Sequence, residues 1–156
     1  MTSPARPAAR IHTVDEHWAE AAATLLQRFL TEEGFNVAES RVRTALDLLW
    51  RDRFHHAAVA VEHERAVAVA TVSTQISVEF GRIAELGDLY VLPEHRDNGV
   101  ANALIEHAKR WATDVGCTEM QLTLAAPPVV RERLRGYYHR RGFRDTGRES
   151  MSCGLQ

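Results

Sequence analysis

Three consecutive segments with a period of two, flanked on both sides by helical repeats, constrain this chain more than any other feature. AAVAVE (57–62), AVAVATVSTQIS (66–77) and RIAELGDLYVL (82–92) each read as strands. Only the polar turn from His63 to Arg65 separates the first two, which predicts an antiparallel meander. Upstream, Trp18, Ala22, Leu25 and Phe29 follow a 4-3-4 spacing along one face of a helix. Asp15 is its expected N-cap, and the segment EEGFN (32–36) ends it at Gly34. Val42, Leu46 and Leu49 mark a second helix over about 38–52. Downstream, Leu104, Ile105, Ala108, Trp111 and Ala112 predict a helix over about 99–115, stopped by Gly116. MQLTL (120–124) is a further strand, and Pro127 and Pro128 open a short helix to about Arg141. Residues 143–146 and 149–155 are expected to close the chain as a hairpin turning at Gly147. With a short strand at 11–14, the order is β-α-α-β-β-β-α-β-α-β-β. That is a mixed α/β (α+β) fold, a mostly antiparallel central sheet with helices on both faces.

At 156 residues the chain suits one domain, over 11–156, after a disordered tail at 1–10. A formal charge of −2 argues against a general nucleic-acid binder, which carries a basic surplus. No apolar run approaches the roughly 18 residues of a membrane span, so no membrane partner is expected. Residues 1–10 lack the apolar core of a secretory signal. The two cysteines, Cys117 and Cys153, form no C-x-x-C pair and read as reduced thiols, which suits the cytoplasm. Eight histidines, including His55, His56 and His63, form no ligand pattern, so no metal is expected.

The chemistry is expected where the third strand ends at Pro93 and the loop RDNGVA (96–101) opens an amphipathic helix. Glycine at a helix entrance lets backbone approach a ligand closely, and the first-turn N–H groups sit at the positive end of the helix dipole. Arg96 adds a full positive charge beside them. These features suit a phosphate or pyrophosphate, although the loop alone also fits an ordinary helix start. There is no G-x-G-x-x-G and no Walker loop.

The unit strand–proline–R-x-x-G-x-A–helix resembles the acetyl-CoA signature of the GNAT superfamily of N-acetyltransferases, and Tyr138 to Phe143 resembles its C-terminal Y-x-x-x-G-F. The order of elements is also similar, over about residues 10–155. The stretch 91–120 is particularly similar to aminoglycoside 6′-N-acetyltransferases. The resemblance implies acetyl-CoA as co-substrate and transfer of its acetyl group to a primary amine, directly, in a ternary complex. It assigns the pantetheine amides to the backbone of Leu89, Tyr90 and Val91. It assigns the pyrophosphate to Arg96, Asp97, Asn98, Gly99, Val100 and Ala101, with Asn102 in the first turn. It implies Tyr138 as proton donor to the departing sulfur. Glu85, 11 positions before Arg96, matches the spacing of a catalytic glutamate in the histone-acetylating branch. Its place in an otherwise apolar strand suits a general base, and a strand-end structural carboxylate is the other reading; Asp88 and Glu79 are lesser candidates. Asp97 stands where many members have glycine or a basic residue, and no asparagine follows the strand at 120–124. The acceptor is expected to be a small-molecule or peptide amine, with Glu32, Glu33, Phe35 and Glu79 near its pocket. A homodimer is left open. The alternative is a non-catalytic acyl-CoA-binding domain of the same fold, and the third reading is an interaction domain that binds no CoA.

Overall fold

Alternating alanine and valine build the centre of the sheet in the computed structural model, which describes residues 8–155. The strands β1 (Arg10–Thr13), β2 (His56–Glu62), β3 (Arg65–Ser77), β4 (Gly81–Val91) and β5 (Glu119–Gln121) lie side by side in chain order. All neighbouring pairs are antiparallel except β4 and β5, which run parallel. The expected meander is thus formed. Its two-residue turn holds His63 and Glu64 both at positive φ, 47° and 63°, as the twist of a tight hairpin requires. The tail expected over 1–10 falls mostly on residues 1–7, outside the description, and Arg10 already belongs to β1.

Two helices, α1 (Ala19–Glu32) and α2 (Glu39–Arg51), join β1 to β2, and α3 (Val100–Asp114) joins β4 to β5. Asp15 performs the expected cap: its carboxylate accepts from the Trp18 N–H at 3.1 Å and its carbonyl from Ala19 N–H at 2.9 Å. Gly34 and Gly116 end α1 and α3, each with the two backbone bonds of a left-handed glycine cap. Cross-strand neighbours share a face, so the register decides which helix each residue meets. His56 stands opposite Val72, which stands opposite Leu86, and His56 meets His107 and Trp111 of α3. Ala57, Thr71 and Asp88 form the adjacent row and therefore face the other side. Tyr90, two positions beyond Asp88, meets Phe29 and Glu32 of α1 on that side. Small side chains in β2 and β3 let both layers approach, and Val59, Val69, Val72, Leu104 and Ile105 are fully buried between them.

The backbone divides into two compact units, one ending at Leu122 and one beginning at Thr123. The second contains α4 (Pro128–His139). The closing hairpin expected over 143–146 and 149–155 is not formed: these residues have no strand pairing. Phe143 packs on Tyr138, and beyond it the segment is polar with Met151 and Leu155 in solvent, so it has no apolar row to bury. The strand expected at 120–124 is likewise only three residues, ending at Gln121.

The contact of His56 with α3 makes a measurable prediction. The Nε2 atoms of His56 and His107 are 3.0 Å apart with ring centroids at 5.1 Å, so the rings meet tip to tip, one donating and the other accepting. Burial, then the nearby His107, pushes His56 down to about 4, and burial with Arg110 lowers His107. The unfolded chain therefore takes up protons first as pH falls through the ordinary histidine value near 6.5. Stability is full above that pH and is lost towards pH 4, by on the order of 3 kcal/mol for His56. Urea unfolding at pH 7.5 and pH 5 should show a lower midpoint at pH 5, with the difference reduced in His56→Phe. Equal midpoints would remove this role for the pair.

Candidate active site

A bulge in β4 sets the geometry of the candidate site. Val72 pairs with Leu86 and Thr71 with Asp88, so Gly87 is the extra residue. A regular strand would point Glu85 and Asp88 to opposite faces, because they are three positions apart. The bulge brings both, with Tyr90, to the face that α1 covers. Thr71, 2% exposed, holds it: its hydroxyl accepts from the Asp88 N–H at 3.0 Å and donates to the Asp88 carboxylate at 2.5 Å. A Cβ on Gly87 would lie 3.1 Å from that hydroxyl, which leaves little room for any other residue.

Beyond the bulge one edge of β4 is open. Pairing with β5 covers Ile83, Ala84 and Glu85 and ends there, and among the described residues only β3 pairs with the rest of β4. Such an edge presents N–H and C=O groups alternately to an extended partner. Leu89, Tyr90 and Val91 stand on it. The chain then turns through Pro93–His95, where the His95 imidazole lies 2.9 Å from the buried Glu62 carboxylate.

The loop that follows is left-handed at two points, Asp97 (φ 62°) and Gly99 (φ 77°), on either side of Asn98. Aspartate tolerates this conformation better than most residues, which explains how it stands at 97. Gly99 caps α3, whose first helical bond runs from Ala103 N–H to Gly99 O at 3.0 Å. The amides of Val100 and Ala101 precede that donor and lie at the positive end of the dipole. A Cβ built on Gly99 meets nothing within 4 Å, so the loop faces open space there.

Arg96 is held rather than extended. Its Nε donates to Val91 O at 2.9 Å, its Nη2 lies 3.5 Å from Glu32 Oε2, and its guanidinium sits 5.7 Å from the Tyr90 ring centre. The Tyr90 hydroxyl donates to Glu32 Oε1 at 2.7 Å, and Arg28 Nε donates to the same oxygen at 3.2 Å. Glu32 is held below the usual carboxylate range, first by the Tyr90 hydroxyl and then by Arg28 and Arg96. Tyr90 is pushed up to about 12, first by burial and then by Glu32. Glu32 also borders a groove of about 460 Å³ between α1 and α2, lined by Gln27, Thr31, Glu39 and Arg43 among others.

Glu85 is half-buried, paired across the sheet with Ser73 and Gln121. Tyr138 belongs to the second unit, where burial pushes its phenol up to about 12. Its motif has a local cause. Gly142 is left-handed (φ 88°), its N–H bonds His139 O, the Phe143 N–H bonds Tyr138 O, and the two rings meet edge to face at 5.5 Å. Tyrosine, glycine and phenylalanine at this spacing are therefore the last-turn residue, the left-handed residue and the apolar clasp of a helix C-cap. Cys117 and Cys153 are both free thiols, and burial raises Cys117 above its ordinary value. Among the described residues no group of three or more His, Cys, Asp or Glu is placed to hold a metal ion. No helix among them is long and apolar enough to cross a membrane.

The family model described as Acetyltransferase (GNAT) family matches residues 17–143, which takes in the bulged strand, the left-handed loop and the Tyr138–Phe143 cap. The chain belongs to the acetyltransferase (GNAT) family. Within that family, an aminoglycoside N(6′)-acetyltransferase type 1 from Acinetobacter haemolyticus is 32% identical over 93 residues, 56% of this chain and 61% of that protein. The chain thus matches about three-fifths of that relative's length. Among solved structures, an aminoglycoside N-acetyltransferase in complex with CoA superposes with a TM-score of 0.83 at 20% identity, covering 98% of this chain and 99% of the other. A ribosomal-protein-alanine N-acetyltransferase from Brucella melitensis gives 0.71 at 19% identity, with 95% and 100% covered. Relatives of such different names share this GNAT fold, so the fold does not choose the acceptor.

Proposed function

We propose that this chain is an acetyl-CoA-dependent N-acetyltransferase that moves the acetyl group directly to a primary amine while both substrates are bound. The observation that carries the reading is an open strand edge at Leu89–Val91 leading, within one unit, into a left-handed loop at the start of α3. The open space at Gly99 fits a bound pyrophosphate. Arg96, Asp97, Asn98, Gly99, Val100, Ala101 and Asn102 hold it, chiefly through main-chain N–H groups. The edge of Leu89, Tyr90 and Val91 pairs with the pantetheine amides, and the Arg96 side chain fixes the last of these residues through Val91 O.

The thioester supplies an activated acyl carbon: the amine forms the new C–N bond, the C–S bond breaks, and CoA leaves. Glu85 takes the proton that the amine sheds, through water, and Tyr138 donates to the departing sulfur. A phenol raised to about 12 stays protonated at neutral pH, as a donor must. Neither cysteine lies in the loop or in the α4 cap, and Cys117 is less acidic than a free thiol, so direct transfer is favoured over an acyl-enzyme. The names of the curated relatives favour a small-molecule amine. Exposed carboxylates at Glu33 and Glu79 suit one that is cationic. Free thiols suit a reducing cytoplasm.

A panel of aminoglycosides, polyamines, amino-acid derivatives and peptide amines, assayed for thiol release from acetyl-CoA, tests the reading. One class should give amine-dependent release with one acetylated amine per thiol. Acetyl-CoA binding by calorimetry without release by any amine would leave the acyl-CoA-binding alternative. No binding would remove both.

A further inference from the structure

The proposed function leaves one cluster unexplained: the Glu32 carboxylate lies at the end of α1, yet two of its three partners, Tyr90 and Arg96, belong to β4 and to the loop that follows it. We propose that Glu32 is a positioning residue that fastens the end of β4 and the loop 96–99 to α1, so that the open edge and the helix entrance are held in one register for CoA. The inference rests on reading that loop as the pyrophosphate cradle.

Each contact carries part of it. Tyr90, 3% exposed, donates its hydroxyl to Glu32 Oε1 at 2.7 Å, which fixes the strand end from the side of α1. Arg96 bridges from the other direction, with Nη2 at 3.5 Å from Glu32 Oε2 and Nε at 2.9 Å from Val91 O. A single carboxylate thus links the side chain of a proposed pantetheine-pairing residue to the first residue of the proposed phosphate loop. Arg28, one helical turn before Glu32, supplies a further N–H to Oε1 and keeps the carboxylate aimed. The chemistry needs two acceptor oxygens, because every partner is a donor. Glutamine has the same shape but only one acceptor, and its amide would turn N–H groups towards a guanidinium.

Glu32 borders the groove between α1 and α2, where Arg43 is tied to Glu20 at 2.7 Å and to Glu39 at 2.8 Å. Those partners satisfy Arg43 locally, whereas Glu32 reaches out of the helix pair to the strand.

Glu32→Gln and Tyr90→Phe test the assignment, the second keeping the ring against Phe29. Three measurements are made on each full chain: acetyl-CoA affinity by calorimetry, the KM and kcat for acetyl-CoA with an accepted amine, and amide exchange by mass spectrometry. Either substitution should weaken affinity and raise KM by about tenfold, with kcat changed less, because it loosens a binding geometry rather than removing a reacting group. Exchange should rise in peptides covering 90–102 and stay as before in β2 and β3. Combining Glu32→Gln with Tyr90→Phe should cost little more than either alone, as expected for partners in one contact. If wild-type protein bound CoA and both variants matched it in affinity, with exchange unaltered at 90–102, the inference would fall and the reading of the loop would stand. Wild-type protein that bound no CoA would overturn both.

Discussion

Gly99→Glu is expected to abolish acetyl-CoA binding, by at least about 10²-fold, in a protein that still folds. Two effects separate here. Any residue but glycine at φ 77° is strained, and a left-handed non-glycine residue costs roughly 1–2 kcal/mol. That strain is paid in both free and bound protein, so it lowers stability without selecting against the ligand. The added side chain meets no protein atom within 4 Å of its Cβ, so its bulk falls where the ligand is proposed to lie. A carboxylate placed about 4 Å from a phosphate oxygen repels it by about 4 kcal/mol at an effective dielectric near 20. That exceeds the 2.7 kcal/mol or so that corresponds to 10²-fold. Gly99→Asn separates charge from strain, because asparagine tolerates the left-handed region and is neutral, and it should bind more tightly than Gly99→Glu. Calorimetry with acetyl-CoA, beside urea unfolding to show that each variant is folded, makes the comparison. Unchanged affinity in folded Gly99→Glu protein would move the pyrophosphate away from the start of α3.

The parts of the site that were legible in the sequence are those with a local cause. Helix-capping glycines at 34 and 116, the polar turn at 63–65 and the loop before α3 each follow from residues within a few positions, and the structure places them as expected. The Tyr138–Phe143 signature is local too, because its glycine and its apolar pair form a helix C-cap within six residues. What escaped depends on distance or on parity. Glu32 meets Tyr90 and Arg96 from 58 and 64 positions away, and nothing in EEGFN distinguishes it from Glu33. Thr71 sits unmarked in a run of alanine and valine, although a lone hydroxyl in such a row is a usable signal of a buried partner. The bulge at Gly87 adds one residue and so inverts the facing of everything upstream, which a strict period of two cannot show. The expected closing hairpin failed for the opposite reason. Gly147 has the left-handed backbone of a turn, but the residues that flank it carry no alternating apolar row to hold strands together.

Glu85→Gln and Tyr138→Phe are expected to separate the two chemical steps. If Glu85 takes the amine proton through water, Glu85→Gln should lower the rate of transfer by about 10²-fold, within the range for loss of a general base. The bulge matters to this assignment, since it places Glu85 on the α1 face together with Asp88 and Tyr90. Acetyl-CoA affinity should change little, because the glutamine keeps the shape of the side chain and the pyrophosphate loop is untouched. The pH dependence of transfer should differ from the wild type, because glutamine cannot accept the proton. Tyr138→Phe should slow transfer while keeping the wild-type pH dependence. A phenol raised to about 12 is protonated throughout pH 6–9, so its loss removes a donor without removing a titration from that window. Phenylalanine also keeps the ring contact with Phe143 and hence the helix cap. Single-turnover rates at several pH values are needed, because slow product release would hide a chemical step. Should Glu85→Gln retain both the wild-type rate and its pH dependence, Glu85 is a structural carboxylate. The base would then be sought first at Asp88, which the same bulge turns to the same face and Thr71 holds in place.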